Sequence, residues 1–487
     1  MKWILTIAGL AFVSGISAQL SLSNALQSGM VVQQNKPFKV WGRSVPGTEV
    51  TVLADWCAPA KAVTAADSSF IIIIPVPVAK VNDFTTHTMK VQEGNNSVVL
   101  NDLLIGDLWF CSGQSNMQFS LKEDTTAAKE VPAANYPNIR LLRADLNFSA
   151  GPIDQFKGKW EPCTPATAKD FSAVGYSFGR DLYNTLHIPI GLVWSGIGAS
   201  AAQAFVPREV LAADTQLNRV YLQPYLASDK SKEKIDGGFS FEKVTRPFLL
   251  YNAMIYPFRN LSVKGFCWYQ GESNRNERGS YTRLTQAMIE AWRKSFGQGS
   301  LPFYLVQVAP YHWDSFDPAL ADYAYFREAQ ERITELTNTG MVVTMDVGDA
   351  KDLHPKIKIP IGHRLAALAL NRTYGQLEVV AEGPAFQHLE MTGKKVIVHY
   401  RKEGGAGLKT NDGKAPAFFF LAGKDQRFYP ATAKIAGNTV ELVSSKVLKP
   451  VAVRYAFTNF PVTNLENAQG FPAVPFRTDD FAEPAVK

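Results

Sequence analysis

The chain is poor in cysteine and has no cysteine and histidine pattern suited to a metal. Its 487 residues include four cysteines, which are widely separated and form no C-x-x-C pair: Cys57, Cys111, Cys163 and Cys267. This spacing argues against a zinc site. Cys111 and Cys267 lie in apolar segments, where an unpaired thiol behaves as a small apolar side chain. The sequence therefore favours buried thiols and leaves a single disulfide open.

The chain also lacks clusters of like charge and long apolar runs. Lys and Arg number 50 against 44 Asp and Glu, a net charge of +6, and the basic residues are spread along the chain. This pattern indicates no nucleic-acid partner, although a mild positive field would not repel an anionic sugar. After residue 18 no apolar run reaches the roughly 20 residues that cross a membrane. No membrane span is therefore predicted, and the oligomeric state is left open.

The first 18 residues, MKWILTIAGLAFVSGISA, have the layout of a secretory signal peptide. Lys2 precedes an apolar stretch, and small residues lead up to Ala18. Cleavage is expected near Gln19. The protein is therefore predicted to be secreted or periplasmic.

The remaining sequence divides into three regions by its pattern of apolar residues. Residues 19–102 contain short strand-like runs separated by Pro, Gly, Asn and Asp, which predict an N-terminal β-sandwich. Over residues 103–375 strand-like runs alternate with helical runs, which predicts an α/β domain with a parallel sheet and helices on both faces. An excursion at about residues 211–244, rich in Asp, Lys and Ser, interrupts this alternation. Residues 376–487 return to strands and predict a C-terminal β-domain.

Four polar segments directly follow predicted strands of the α/β region. Ligands bind at the carboxyl ends of the strands in open α/β sheets, so these segments are the first candidates for a site. They are Ser115, Gly198–Ser200, Gln270–Asn274 and Asp346–His354.

Ser115 permits two interpretations. A serine at the end of a strand is often the N-cap of the next helix. As a nucleophile it needs a base, an acceptor that orients the base, and donors that stabilise the oxyanion. His354 and Asp352 offer the base and its orienting acid in one later loop, although a histidine near a turn is often only structural. Asp349 and Asp352 have a further alternative as N-caps.

Two other enzyme classes find partial support in the sequence. Glu272 with an aspartate offers the acid pair of a glycoside hydrolase, but that mechanism has no use for a Ser–His pair. Residues 196–201, GIGASA, fit the dinucleotide-binding pattern G-x-G-x-x-A after a strand. An exported protein rarely meets NAD, and this unit lies late in its domain. Both classes are therefore set below an ester hydrolase.

Several motifs, taken in order, resemble those of the sialate O-acetylesterases of the SGNH hydrolase superfamily. They read GDLWFCSGQSNMQF, GLVWSGIGASAAQAFVP, LLYNAMIYPF, GFCWYQGESN, FREAQ and DVGDAKDLHPKIKIPIGHRLA. The strand-rich segments on either side of them also resemble the N-terminal sandwich and the C-terminal ending of that family. The resemblance covers nearly all of the chain after the leader, and it implies an SGNH-hydrolase-like α/β domain flanked by two β-sandwich-like domains.

The resemblance also implies roles for particular residues. Ser115 is the expected nucleophile and His354 the expected base. The oxyanion is expected to be held by the Ser115 backbone N–H together with Gly198 and the Gln270 side chain. Supporting or substrate contacts are expected from five neighbours, which are Gln114, Asn116, Glu272, Asn274 and Asp349. No metal and no organic cofactor is expected.

The chain departs from the family pattern at two places. Where the family usually has W-G-G-T, residues 197–200 read I-G-A-S, so the first glycine is retained but the acyl pocket or the sugar contacts differ. The D-x-x-H spacing of the superfamily is absent, because Lys351 stands three residues before His354. Asp352, two residues before, is therefore the predicted orienting acid. If its side chain points away, a backbone carbonyl orients the imidazole and the pair acts as a Ser–His dyad.

The expected activity is the removal of O-acetyl groups from sugars, with O-acetylated sialic acid as the leading substrate. An acetylesterase that acts on plant polysaccharides such as xylan or pectin would use the same residues. The remaining alternative is a non-catalytic glycan-binding protein with a decayed esterase centre. The intact Ser115, Gln270 and His354 count against decay.

Overall fold

The computed structural model describes residues 19–313 and 321–483 of the chain. The predicted signal peptide, residues 1–18, lies outside these residues. Among the helices that are described, none is both long enough and apolar enough to cross a membrane. All four cysteines are free thiols, and three of them are buried. The alternative of a disulfide is therefore not realised.

The N-terminal region folds into two small sheets that share an apolar core. Its strands are β1 Ser21–Leu22, β2 Val31–Gln33, β3 Phe38–Arg43, β4 Glu49–Ala54, β5 Ala60–Val63, β6 Ser69–Ile74, β7 His87–Glu93 and β8 Asn96–Gly113. One antiparallel sheet has the order β1-β3-β6, while β4 pairs with β5 and β7, and β7 pairs with β8. Alternate residues point inward, so that Ile72 and Ile74 of β6 are buried while Ile71 and Ile73 are exposed. The strand-like runs of the sequence predict such an arrangement.

Strand β8 is continuous from the N-terminal sheets into the central sheet. Its first half pairs antiparallel with β7, and its second half runs parallel to its neighbours in the central sheet. The change from antiparallel to parallel pairing falls at Asp102, which has a positive φ of 56° and lies where the register with β7 shifts. Two hydrogen bonds from the Arg140 guanidinium hold the Asp102 carboxylate. The domain boundary drawn at residues 102 and 103 thus coincides with a bend inside one strand.

The central sheet is parallel except at one edge. Its further strands are β9 Tyr136–Arg143, β10 Trp160–Cys163, β11 Ile190–Trp194, β12 Gly265–Tyr269, β13 Phe303–Val306 and β14 Thr339–Val342. The order is β10-β9-β11-β8-β12-β13-β14, and only the edge strand β10 is antiparallel to its neighbour. Strand β8 lies between β11 and β12, and the strands that follow it in the sequence are added to the sheet on both of its sides. Such a switch point is where α/β sheets place their ligands.

Helices cover both faces of this sheet, as the alternating pattern predicts. The helices are α1 Ser115–Gln118, α2 Ala127–Ala133, α3 Pro165–Ala168, α4 Ala173–Leu186, α5 Arg208–Ala213, α6 Thr215–Leu217, α7 Gln223–Ala227, α8 Arg278–Phe296, α9 Asp322–Glu331, α10 Ile359–Arg372 and α11 Lys402–Gly405. On one face Trp109 of β8 packs edge-on against Phe178 of α4, with ring centroids 5.0 Å apart. On the other face Phe110 meets Trp292 of α8 at 6.1 Å. Consecutive residues of β8 therefore anchor opposite helical layers.

Shorter helical turns fill the connections between these elements. They are Leu121–Glu123, Ala202–Phe205, Asn218–Leu222, Asp229–Lys232, Lys243–Thr245, Tyr251–Ile255, Tyr256–Phe258, Glu272–Asn274 and Arg332–Glu335. The excursion predicted at about residues 211–244 consists of such turns and of short helices. Its end contacts the loop that follows β11, where the Ala201 N–H donates to the Val244 carbonyl at 3.2 Å.

The C-terminal region has three antiparallel sheets and a core of its own. Its strands are β15 Phe386–Thr392, β16 Lys395–Tyr400, β17 Lys409–Thr410, β18 Phe419–Ala422, β19 Phe428–Pro430, β20 Thr432–Ala436, β21 Thr439–Val443, β22 Ala452–Tyr455, β23 Leu465–Glu466 and β24 Phe476–Arg477. Two four-stranded sheets have the orders β15-β16-β21-β20 and β19-β18-β22-β24, and β17 pairs with β23 in a third sheet. Arg477 joins this region to the central domain through two hydrogen bonds to the Glu328 carboxylate of α9, each 3.0 Å long.

Candidate active site

The candidate site lies at the carboxyl ends of three adjacent strands. Tyr269, the last residue of β12, pairs with Gly113 at the end of β8, and β11 ends beside them at Trp194. The segments that follow these strands therefore meet at one edge of the sheet. Gly113 has a φ of 134°, and a Cβ there would lie 2.2 Å from the Tyr269 carbonyl oxygen. Only glycine fits where the chain leaves β8 for Ser115.

Ser115 and His354 form a hydrogen-bonded pair at this edge. The distance from Ser115 Oγ to His354 Nε2 is 2.8 Å. The alternative of a helix cap is not realised, because Gln114 occupies the N-cap position and Ser115 is the first residue of α1. The Ser115 hydroxyl thus bonds to the imidazole and does not cap the helix. The two residues are 239 positions apart in the sequence, and the fold brings them together.

The two acidic residues of the His354 loop differ in their contacts. Asp352 Oδ1 lies 3.7 Å from His354 Nδ1 and accepts a 2.8 Å hydrogen bond from the His354 backbone N–H. Asp349 Oδ1 instead accepts from the backbone N–H groups of Lys351 and Asp352, at 2.8 and 3.2 Å. Asp349 therefore shapes the loop, and Asp352 is the acid that lies near the imidazole.

The loop after β11 brings the Gly198 amide next to Ser115. A Cβ added to Gly198 would lie 3.4 Å from the Ser115 Cβ. The Gly198 N–H donates to the Gln118 side-chain oxygen at 2.7 Å, so an acceptor already occupies this predicted oxyanion donor. Ser115 begins α1, and its N–H has no helical acceptor. Ala199, which replaces a glycine of the family pattern, adopts a left-handed φ of 61°.

Gln270 lies behind this loop, and its side chain does not face Ser115. Its Nε2 donates to the Ser200 carbonyl at 3.1 Å and to Asn274 Oδ1 at 2.7 Å, which uses both of its N–H bonds. Its Oε1 accepts from the Tyr281 hydroxyl at 3.0 Å. Asn274 in turn accepts from the Ala202 N–H at 2.9 Å. In this geometry Gln270 braces the loop, and its side chain is not placed at the predicted oxyanion position.

The other predicted neighbours of Ser115 are buried and join it to the remaining motifs. Gln114 Oε1 accepts from the Gly271 N–H at 3.2 Å. Asn116 Nδ2 donates to Glu272 Oε1 at 2.6 Å and to the Leu353 carbonyl at 3.1 Å. Together these bonds tie the start of α1 to the loop after β12 and to the residue before His354.

Lys358 completes this buried group, and the sequence analysis missed it. Its Nζ donates to Asn116 Oδ1 at 2.6 Å, and its backbone N–H donates to Asp124 Oδ2 at 2.7 Å. Lys358 is fully buried. The one available signal was its position between two isoleucines, in the stretch IKI at the start of α10, because lysine normally lies on the surface.

Burial shifts the pKa values of three of these groups. Burial and the nearby charge of Lys358 lower the pKa of the His354 imidazole, and the Asp352 carboxylate opposes part of this shift. Burial lowers the pKa of the Lys358 ammonium to about 7, although Glu272 and Asp124 oppose the shift. Burial likewise raises the pKa of the Glu272 carboxyl. In each case loss of water disfavours the charged form.

Ser115 and His354 line an open cleft of about 680 Å³. Charged side chains form much of its wall, namely Lys122, Glu123, Arg143, Asp170, Asp352 and Lys356. A nucleophile and a base in contact, with free or displaceable amides beside them, can carry out acyl transfer.

Comparison with known proteins agrees with this chemistry. Residues 105–371 match the family described as carbohydrate esterase, sialic acid-specific acetylesterase. The chain belongs to this family. It is therefore a carboxylic ester hydrolase, and the matched region includes both Ser115 and His354.

Relatives of this esterase match it over nearly its whole length. The solved structure of a carbohydrate acetylesterase from Xanthomonas citri is 33% identical, covers 95% of this chain and 100% of that chain, and has a TM-score of 0.83. The sialate O-acetylesterase of Mus musculus is 28% identical over 94% of this chain and 93% of its own. That of Homo sapiens is 28% identical over 90% of this chain and 87% of its own.

The lowered pKa of His354 predicts how the kcat/KM of the esterase depends on pH. A general base must be neutral, and kcat/KM reports its pKa in the free enzyme. Because the folded pKa lies below the ordinary value of 6.5, the neutral form persists into more acidic solution. The acidic limb of kcat/KM for a simple acetyl ester should therefore fall below pH 6.5, as measured by acetate release across a pH series. A limb above 6.5 would show that the base is another group or that its charged form is stabilised.

Proposed function

We propose that this esterase removes O-acetyl groups from sugars, with O-acetylated sialic acid as the leading substrate, through an acetyl-enzyme formed on Ser115. The observation that carries the proposal is the 2.8 Å hydrogen bond between Ser115 Oγ and His354 Nε2 beside an open cleft. A neutral imidazole in that position can accept the hydroxyl proton directly.

In the first half of the reaction Ser115 Oγ attacks the acetyl carbonyl carbon while His354 Nε2 takes its proton. The negative charge that forms on the carbonyl oxygen is held by the backbone N–H groups of Ser115 and Gly198. The carbonyl oxygen replaces Gln118 Oε1, which accepts from Gly198 at 2.7 Å in the absence of substrate. The tetrahedral intermediate then collapses, and the imidazolium gives its proton to the departing sugar oxygen.

In the second half a water molecule attacks the acetyl group on Ser115. His354 Nε2 accepts a proton from the water as its oxygen bonds to the carbonyl carbon. Collapse of this second intermediate breaks the bond to Ser115 Oγ, which recovers a proton from the imidazolium. Acetate leaves, and the resting pair is restored.

We assign Asp352 the role of orienting and stabilising the imidazolium. It lies 3.7 Å from His354 Nδ1, and catalytic hydrogen bonds of this kind often tighten only when substrate is bound. The hydrogen bond that its carboxylate accepts from the His354 backbone N–H supports this assignment, because it keeps the carboxylate near the ring. Gln270 is assigned to hold the Gly198 loop from behind.

Three variants made side by side test this mechanism. Ser115→Ala should abolish acetate release from a simple acetyl ester. Asp352→Asn should lower kcat at least about 10²-fold, because replacing a triad acid with its amide leaves the imidazolium unsupported. Asp349→Asn keeps the loop amides in contact with an acceptor and should cost less than about tenfold. Thermal melts establish that all three fold.

Three outcomes would change the assignment. Retention of a tenth of the wild-type rate by Ser115→Ala would remove the nucleophile and with it the mechanism. A loss below about tenfold in Asp352→Asn, with Ser115→Ala inactive, would leave a Ser–His dyad. A large loss confined to Asp349→Asn would move the orienting role to that residue.

The charges of the cleft support an acidic sugar over a neutral one. Lys122 is paired with Asp170 at 2.7 Å. Within the described ranges of the chain, Arg143 donates only to the Asp170 carbonyl oxygen, at 3.3 Å, and Lys356 forms no ion pair. Two cations therefore line the cleft without a carboxylate of their own. The carboxylate of a sialic acid can supply that partner, and the predicted signal peptide agrees with an extracellular or periplasmic substrate.

Neutralising these two cations should separate the substrate classes. Arg143→Ala and Lys356→Ala should each raise KM for O-acetylated sialic acid about tenfold or more, the loss expected for one charge-assisted contact. Neither change should alter KM for a neutral acetylated xylo-oligosaccharide. Kinetics with both substrates make the comparison. Faster turnover of the neutral sugar, with no selective effect of the variants, would favour the plant-polysaccharide activity.

A further inference from the structure

A buried polar chain lies directly behind the Ser115–His354 pair, and the steps of hydrolysis do not use it. Lys358 contacts Asn116, and Asn116 contacts Glu272. Lys358 and Asn116 are 0% exposed and Glu272 is 3% exposed, so none of them forms part of the cleft surface. Buried charge is costly unless its contacts offset the loss of water.

The partners of Asn116 determine how its amide is oriented. A lysine ammonium has only donors, so the Asn116 atom that it meets at 2.6 Å is the oxygen. The Leu353 carbonyl has only lone pairs, so the atom that it meets at 3.1 Å is the nitrogen. The same nitrogen donates to the Glu272 carboxylate at 2.6 Å. The amide dipole therefore points its oxygen toward the cation and its nitrogen toward the anion.

Asn116 connects the backbones that carry the two reacting side chains. It directly follows Ser115, and Leu353 directly precedes His354. One side chain thus sets the spacing between the loop of the nucleophile and the loop of the base. Movement of Asn116 would change the 2.8 Å contact between Ser115 Oγ and His354 Nε2.

Lys358 holds the oxygen side of that amide from inside the protein. Its Nζ lies 4.9 Å from the centre of the Phe119 ring and 5.8 Å from that of Tyr269. Its backbone N–H is fixed by the Asp124 carboxylate. In residues 19–313 and 321–483 no carboxylate forms a direct ion pair with the ammonium, so Asn116 is its one hydrogen-bond acceptor.

We propose that Lys358 is a positioning residue for the base: it holds Asn116 and thereby sets the spacing of Ser115 and His354. The proposal rests on the proposed function, in which His354 acts as a neutral base. It assigns Lys358 no contact with substrate.

The electrostatics agree with this arrangement. Four titratable groups face Lys358 from the elements packed around it, namely Glu272, Asp124, Asp352 and His354. The positive charge of Lys358 is one of the two causes that lower the pKa of His354, the other being burial. Removing that charge while keeping the volume should therefore raise the pKa of the imidazole.

Lys358→Met tests the proposal, because methionine fills a similar volume without charge or donor. With a simple acetyl ester, kcat should fall about 10- to 100-fold, the size expected when a reacting group is displaced by a fraction of an ångström to an ångström. KM should change little, and the acidic limb of kcat/KM should move to higher pH. A residue that serves only folding would alter the melting temperature without moving this limb.

Lys264→Met is the matched control. Lys264 also lies over a tyrosine ring, 4.7 Å from the centre of Tyr374, and its Nζ is 3.9 Å from the buried Asp107. It directly precedes β12 and is therefore at the opposite end of that strand from Gln270. This variant should melt at a lower temperature but keep the wild-type kcat and the wild-type pH limb.

A second variant covers the case in which Lys358→Met does not fold. Lys358→Met combined with Glu272→Gln removes both buried charges, and it should fold while showing the same upward shift of the acidic limb. An unchanged kcat and limb in either folded variant, with Ser115→Ala inactive, would overturn the positioning role alone. Hydrolysis by Ser115→Ala would overturn the proposed function instead.

Discussion

The parallel alignment of β11, β8 and β12 is the constraint on which the site depends. Because the three strands run in the same direction and end at nearly the same level, the segments that follow them converge at one edge. One carries Ser115, one carries the Gly198 amide, and one carries the braces Gln270 and Asn274. Only the loop with His354 arrives from further along the sheet, after β14. The glycine at position 113 permits the close approach, since any side chain there would strike the Tyr269 carbonyl.

Two layers of polar groups support the reacting pair in different ways. Near the surface, the Asp349 and Asp352 carboxylates bind backbone N–H groups of their own loop and give it a fixed shape. Beneath it, the Asn116 amide joins that loop to the start of α1. The outer layer is exposed to solvent and its charges are screened, whereas the inner layer is buried and its charges are screened less. A small shift in the buried layer therefore has more effect on His354.

Elements with strong local periodicity were predictable from the sequence. Helices α4 and α8 belong to the alternating region predicted over residues 103–375, and the apolar residues of each recur at helical spacing. The polar segments at strand ends were predictable because each directly follows an apolar, strand-like run. Ser115 and His354 are the pair that the motifs indicate.

Features that depend on distant pairing were not predictable. The continuity of β8 through Asp102 arises from its pairing with β11 and β12, which lie far along the chain, and the edge position of β10 follows from the strand order of the whole sheet. The inward rotation of Gln270 depends on Tyr281, and the burial of Lys358 depends on a packing arrangement that no local pattern contains. Lysine and glutamine are usually found on the protein surface, whereas Lys358 and Gln270 are buried in this fold.

The most direct test of the account is to identify the residue that carries the acetyl group during turnover. The enzyme is mixed with an excess of a simple acetyl ester, quenched in acid during steady turnover, digested, and analysed by mass spectrometry of its peptides. The account predicts the added mass of one acetyl group on Ser115, and no such adduct at that peptide in Ser115→Ala. An acetyl group on a different side chain, or full turnover with no acetylated peptide under conditions that trap a known acyl-enzyme, would contradict it.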